Sequence, residues 1–142
     1  MQHNLLHPEA PRSIDERYVP HAVFTNPQIG SVGLTEYQAE MHGRPYAVAV
    51  KEYAGTAYGW AMEDTTSCAK VIADVETRRL IGAHIIGPQA SILIQQLVQG
   101  MRFGQTVDEM ARDVIYPHPA LSEVVENALL DLADALDRAA LG

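Results

Sequence analysis

Residues 116–127 read Y-P-H-P-A-L-S-E-V-V-E-N, a histidine set between two prolines and followed by an apolar, helix-patterned tail. Each proline has a fixed φ and biases the residue before it away from helical geometry. Tyr116 and His118 are therefore expected to be extended, and Pro119 suits the first turn of a helix. Glu123 follows within that first turn or so, where the helix dipole favours a negative charge. A carboxylate beside an imidazole can orient the ring and stabilise its protonated form, so His118 and Glu123 are candidates for an acid–base pair. A His-Pro before a glutamate also serves as ordinary punctuation at a helix start. As a shared metal site the pair is poor, because five residues of helix turn through about 500° and the side chains would not share a face.

The elements that must position this stretch follow from patterning. Residues 1–17 are polar, hold two prolines and show no period, which reads as a linker. Residues 21–24 and 31–34 are short strands around an N-P-Q-I-G turn. Thr35 then caps a helix, with Gln38 in the capping-box place and Gly43 as its stop. Residues 46–53 are strand-like, with Tyr46, Val48 and Val50 on one face. The glycine-flanked Tyr58 and Trp60 follow in what reads as a packed loop or a contact patch. Residues 68–75 alternate, with Ala69, Val71, Ala73 and Val75 facing one way and Lys70 and Asp74 the other. The turn E-T-R-R leads to residues 80–86, which predicts an antiparallel hairpin. Cys68 reads as a buried small hydrophobe and His84 as a structural histidine.

Residues 91–103 form a helix whose polar stripe is only Ser91, Gln95, Gln99 and Arg102, a pattern suited to cover on more than one side. Thr106 and Glu109 make a second capping box. The last helix carries Leu121, Val125, Ala128, Leu132 and Leu136 on one stripe. The expected fold class is α+β, an antiparallel β-sheet with helices packed on one side, in a chain that self-associates.

Composition narrows the function. The chain has 142 residues, 47% hydrophobic and 20% charged, which suits one domain with a real core. A net charge of -8 argues against nucleic acid or an anionic membrane as partner. Apolar runs fall short of a membrane span, and the N-terminus lacks a signal-peptide pattern. The single cysteine, Cys68, permits no internal disulfide and fits a reducing cytoplasm. Neither G-x-G-x-x-G nor a Walker loop is present, and six histidines lie without metal-ligand spacing.

Three ordered stretches together resemble the C-terminal dimerisation domain of the pyridine nucleotide–disulfide oxidoreductases. They are V-P-H-A-V-F-T-N-P-Q-I-G-S-V-G-L-T-E at 19–36, R-L-I-G-A-H-I-I-G-P-Q-A-S-I-L-I-Q at 79–95, and H-P-A-L-S-E at 118–123. Ala120 stands where many relatives carry threonine, which leaves the acid–base pair in place. The resemblance implies the dimerisation-domain fold over residues 18–142, with residues 1–17 the remnant of an upstream flavin-domain segment. It implies a homodimeric cytoplasmic enzyme in which electrons pass from NADPH through FAD to a redox disulfide, and from there to a small-molecule disulfide substrate. His118 would then reach the partner subunit's active site and protonate the departing thiolate. Glu123 would hold the ring, and His118 and Pro119 would lie near the partner's FAD. The redox cysteines and the FAD and NADPH domains are not in this sequence, so it reads as a fragment, inactive and without bound cofactor by itself. The rival reading is a stand-alone homodimeric scaffold or binding module that kept the fold without the chemistry.

Overall fold

The computed structural model describes residues 2–13 and 15–141. Met1 and Ile14, inside the expected 1–17 linker, and Gly142, inside the expected 18–142 domain, lie outside the described residues. The chain opens with α1 (Gln2–Leu6), a five-residue helix that buries none of its residues. No helical period announces it. Local bonds hold the segment that follows, where Asn4 and Arg12 exchange side-chain and backbone hydrogen bonds of 2.8 Å.

Five strands then form one antiparallel sheet in the order β1-β2-β5-β4-β3: β1 (His21–Val23), β2 (Ile29–Gly33), β3 (Tyr46–Glu52), β4 (Cys68–Asp74) and β5 (Leu80–Ile86). The β4–β5 hairpin forms as the alternation predicts, with a register shift at Ile72/Ala73. β2 starts two residues earlier than the sequence suggests, because Ile29 and Gly30 pair with β5 across the supposed turn. Gly30 is required there: a Cβ would lie 2.5 Å from the carbonyl oxygen of Ala90, where a helix presses on the strand.

The row Val32, Ala83, Val71 and Ala49 crosses four strands and is buried throughout. Two long helices cover this face. α4 (Ala90–Phe103) lies on β2 and β5, and α6 (Ser122–Leu141) lies on β3 and β4, with α5 (Val107–Arg112) packed against α6. In β3 the small residues Ala47 and Ala49 meet α6, so Tyr46, Val48 and Val50 take the less covered face. The short helix α2 (Glu36–Met41) reaches the opposite face, where Glu36 pairs with Lys70. Both capping boxes form. Gln38 N–H donates to Thr35 Oγ1 at 3.2 Å, and Glu109 N–H donates to Thr106 Oγ1 at 3.2 Å.

Val125, Ala128, Leu132 and Leu136 of α6, with Leu121 just ahead of it, are buried as the pattern requires. Ion pairs clamp its solvent edge: Arg78 bridges Asp108 and Asp137, and Arg112 bridges Asp108 and Asp134. Asp74, read as facing away from Val71 and Ala73, is buried, and its Oδ1 accepts the Thr77 backbone N–H (2.7 Å) and hydroxyl (2.9 Å) that close the hairpin turn. Cys68 is only partly buried. His84 has the structural role expected of it, with Nε2 2.9 Å from the carbonyl of Leu34.

Candidate active-site edge

His118 sits in the bend between α5 and α6, ahead of the helix rather than in it. Pro119 does not occupy the first turn: α6 begins at Ser122, and the entry is a tight turn in which Glu123 and Val124 N–H groups donate to the carbonyls of Ala120 and Leu121. The His118–Pro119 peptide is cis. Because the ring lies outside the helix, the helical rotation between the two positions does not separate them. His118 Nδ1 is 2.6 Å from Glu123 Oε1.

The second carboxylate oxygen, Oε2, accepts the Ala120 backbone N–H at 3.0 Å, and Asn127 Nδ2 donates to the Glu123 carbonyl at 2.8 Å. The Glu123 carboxylate is thus held at both oxygens. The two side chains differ in exposure: His118 is 69% exposed and Glu123 only 14%. The hydrogen bond to His118, then that from Ala120, hold the Glu123 carboxyl below its ordinary range. An ionised Glu123 accepts only, which assigns the proton on Nδ1 and leaves Nε2 as the working nitrogen. Among the described residues Nε2 has no hydrogen-bond partner.

Around this ring the chain builds a cleft of about 700 Å³, walled by Gly55, Ala57, Tyr58, Trp60, His118 and Pro119. The aromatic segment read as a packed loop or a contact patch is built as a 3-10 turn (Tyr53–Gly55) followed by α3 (Ala57–Ala61). Thr56 caps that helix by accepting Gly59 N–H at 3.3 Å and donating its hydroxyl to the Tyr53 carbonyl at 2.8 Å. Gly59 cannot be larger, since a Cβ would fall 1.9 Å from the Tyr53 carbonyl oxygen. Tyr53 itself is fully buried, with its hydroxyl donating to the Pro88 carbonyl at 3.1 Å. This stack fixes α3 on the sheet and leaves Trp60 75% and Tyr58 40% exposed. The sequence flags both aromatics but not their approach to His118. Thr56, a favoured N-cap residue type, was the available sign of the helix.

The described residues do not build a dinucleotide cradle. Such cradles use a glycine-rich passage from a parallel strand to a helix N-terminus. Every strand pair here is antiparallel. At the β5-to-α4 passage Gln28 Oε1 already accepts the Ser91 backbone N–H at 3.4 Å and the Ser91 hydroxyl at 2.9 Å. FAD and a nicotinamide cofactor do not fit a site made by these residues alone, and His118 and Pro119 could only border one held elsewhere.

Comparison with known proteins decides the family. Residues 19–129 match the family model for the pyridine nucleotide-disulphide oxidoreductase dimerisation domain. The chain belongs to that family. Mycothione reductase of Mycobacterium tuberculosis is 56% identical over 136 residues, covering 93% of this chain and 30% of that protein. Dihydrolipoyl dehydrogenase of Rhizobium etli is 38% identical over 117 residues, covering 82% of this chain and 24% of that one. Among solved structures, the HOCl-induced flavoprotein disulfide reductase RclA of Escherichia coli superposes with a TM-score of 0.82 at 30% identity, over 91% of this chain and 30% of that chain. The chain therefore spans about 30% of the length of these mycothione reductases. From the sequence, residues 58–65 and 118–130 look most like mycothione reductase, and the identities bear this out. Among the described residues no helix of this dimerisation domain is long and apolar enough to cross a membrane.

Proposed function

We propose that this domain completes a homodimeric, FAD- and NADPH-linked disulfide reductase of the mycothione reductase type, with His118 and Glu123 as its acid–base pair. Residues 18–142 act as the interface domain, and residues 1–17 continue the flavin-domain segment before it. The observation that carries the reading is the 2.6 Å contact between His118 Nδ1 and Glu123 Oε1, beside an open cleft. An imidazole fixed through one nitrogen and open at the other suits proton delivery to a group supplied from outside the domain.

In the step assigned to this chain, a thiolate of the partner subunit's flavin domain attacks the substrate disulfide. One S–S bond forms, the substrate S–S bond breaks, and the leaving thiolate takes the proton from protonated His118 Nε2. Protonation promotes the step because a thiol leaves more readily than a thiolate. Glu123 holds the ring in place and balances the imidazolium charge. Bound FAD and NADPH would supply the two electrons. By itself the 142-residue chain should show no NADPH-dependent turnover, and measurable turnover by the purified chain would refute that point.

The test is His118→Ala in the enzyme that contains this domain. The disulfide half-reaction should collapse by about 100-fold or more, the scale of a lost general acid, while reduction of the flavin by NADPH stays within about twofold. Equal loss of both half-reactions would make the residue structural.

A further inference from the structure

His118 is held through Nδ1 by Glu123, and the bend it stands on is held from the α5 side. Residues 114–119 cross from α5 to α6 largely in solvent: Val114, Pro117 and Pro119 are exposed, and Ile115 is 97% exposed. Tyr116 is the exception, half-buried among them. Its hydroxyl donates to the carbonyl of Met110 at 3.0 Å, and Met110 is buried in the core. That carbonyl belongs to the last turn of α5, where a helix leaves carbonyls without an intrahelical donor. No backbone N–H reaches it among the described residues. Burial, then the Glu126 carboxylate, pushes the Tyr116 phenol above its ordinary range, so the hydroxyl stays protonated and donates. Among the described residues only two hydrogen bonds hold residues 114–119, this one and that between His118 and Glu123.

We infer that Tyr116 is a positioning residue for the disulfide step: its hydroxyl hangs the bend on α5 and so sets where His118 Nε2 stands. The inference rests on the assignment of His118 as the proton donor. Only Pro117 separates the two residues. Its fixed φ, with the restriction it places on Tyr116, makes the link stiff. A shift of the phenol therefore passes to the imidazole instead of being absorbed by the chain between them. Glu123 alone cannot do this, because one hydrogen bond fixes a distance to the ring and not its place. The demand is strict, since the proton donor must come within about 3 Å of the leaving group. A misplacement of about 1 Å can cost on the order of 100-fold in rate.

The experiment is stopped-flow reoxidation of the reduced holoenzyme by two uncharged disulfides, that of N-acetylcysteamine and 4,4′-dithiodipyridine. An alkyl thiolate leaves poorly without a proton, whereas the pyridine thiolate, the anion of a stronger acid, leaves readily without one. Tyr116→Phe removes the hydroxyl and keeps the ring. It should slow reoxidation by the alkyl disulfide by about 3- to 10-fold, the scale of one lost hydrogen bond. Reoxidation by dithiodipyridine, and flavin reduction by NADPH, should stay within about twofold. An equal fall with both disulfides would make the hydroxyl merely structural and overturn the inference, as would no change with either. His118→Ala in the same assay separates the inference from the assignment beneath it. If His118→Ala slows the alkyl disulfide selectively while Tyr116→Phe does not, only the role of Tyr116 is wrong. If His118→Ala slows both disulfides alike, or neither, the proton-donor assignment falls and the inference falls with it.

Discussion

Replacing Glu123 with glutamine tests the pairing with a single atom exchange. In the native chain Oε1 faces His118 Nδ1 at 2.6 Å and Oε2 accepts Ala120 N–H at 3.0 Å. A carboxamide has one acceptor and one donor group, so it cannot serve both. If its oxygen keeps the Ala120 contact, its NH2 meets Nδ1 and imposes the other tautomer. An imidazolium would then set donor against donor. If the oxygen turns to Nδ1, the NH2 faces the Ala120 N–H. Either way the charge-assisted bond, worth about 1.5–3 kcal/mol, gives way to at most a neutral one of about 0.5–1.5 kcal/mol. The difference of roughly 1–2 kcal/mol predicts a disulfide half-reaction slowed by about 5- to 30-fold. Stopped-flow kinetics of the holoenzyme separates this step from reduction by NADPH, which should stay within about twofold. A variant that slows both steps alike, or neither, refutes the role given to Glu123.

Two further outcomes follow from the fold. Leu132→Ala removes a fully buried side chain from the α6 seam on β3 and β4 and should lower unfolding free energy by about 2–5 kcal/mol, read by denaturant titration. A loss below about 1 kcal/mol would mean that α6 is not seated as described. Acid should also find specific weak points. The Thr77 backbone N–H, then its hydroxyl and Arg44, hold the buried Asp74 carboxyl below its ordinary value of 3.8. The unfolded chain then binds the proton more tightly than the folded one, so stability falls as protons are taken up. The contribution is fully present above 3.8 and is lost as pH drops through the lower folded value. Melting temperature should decline more steeply below about pH 4 in the native chain than in Asp74→Asn, and parallel declines would count against it.

Local signals were the ones readable in the sequence. The boxes at Thr35–Gln38 and Thr106–Glu109 involve side chains within one turn of their own backbone, so the residues alone suffice. The stripe on α6 and the β4–β5 alternation are likewise set by short-range periodicity. His118 and Glu123 could be paired because the bend at Pro119 brings them together without help from distant parts of the chain. What escaped depends on contacts between separated segments. Gly59 argues locally against a helix, yet α3 forms under its Thr56 cap, and the Tyr53 backbone leaves no room for a side chain at that position. Ile29 and Gly30 look like turn residues and become strand only because β5 offers them partners. The burial of Asp74 comes from the turn it closes, which the alternation does not show. For the same reason, the cleft between Trp60 and His118 could not be read from either segment alone.

The most direct measurement is complementation between subunits. One variant carries His118→Ala, and the other lacks the redox cysteines of the flavin domain. Each homodimer should be nearly inactive. If His118 serves the partner's site, hybrid dimers from refolded mixtures hold one intact composite site, and disulfide reductase activity should return. Hybrids no more active than the two parents would contradict the account, because His118 would then act within its own subunit or not in the chemistry at all.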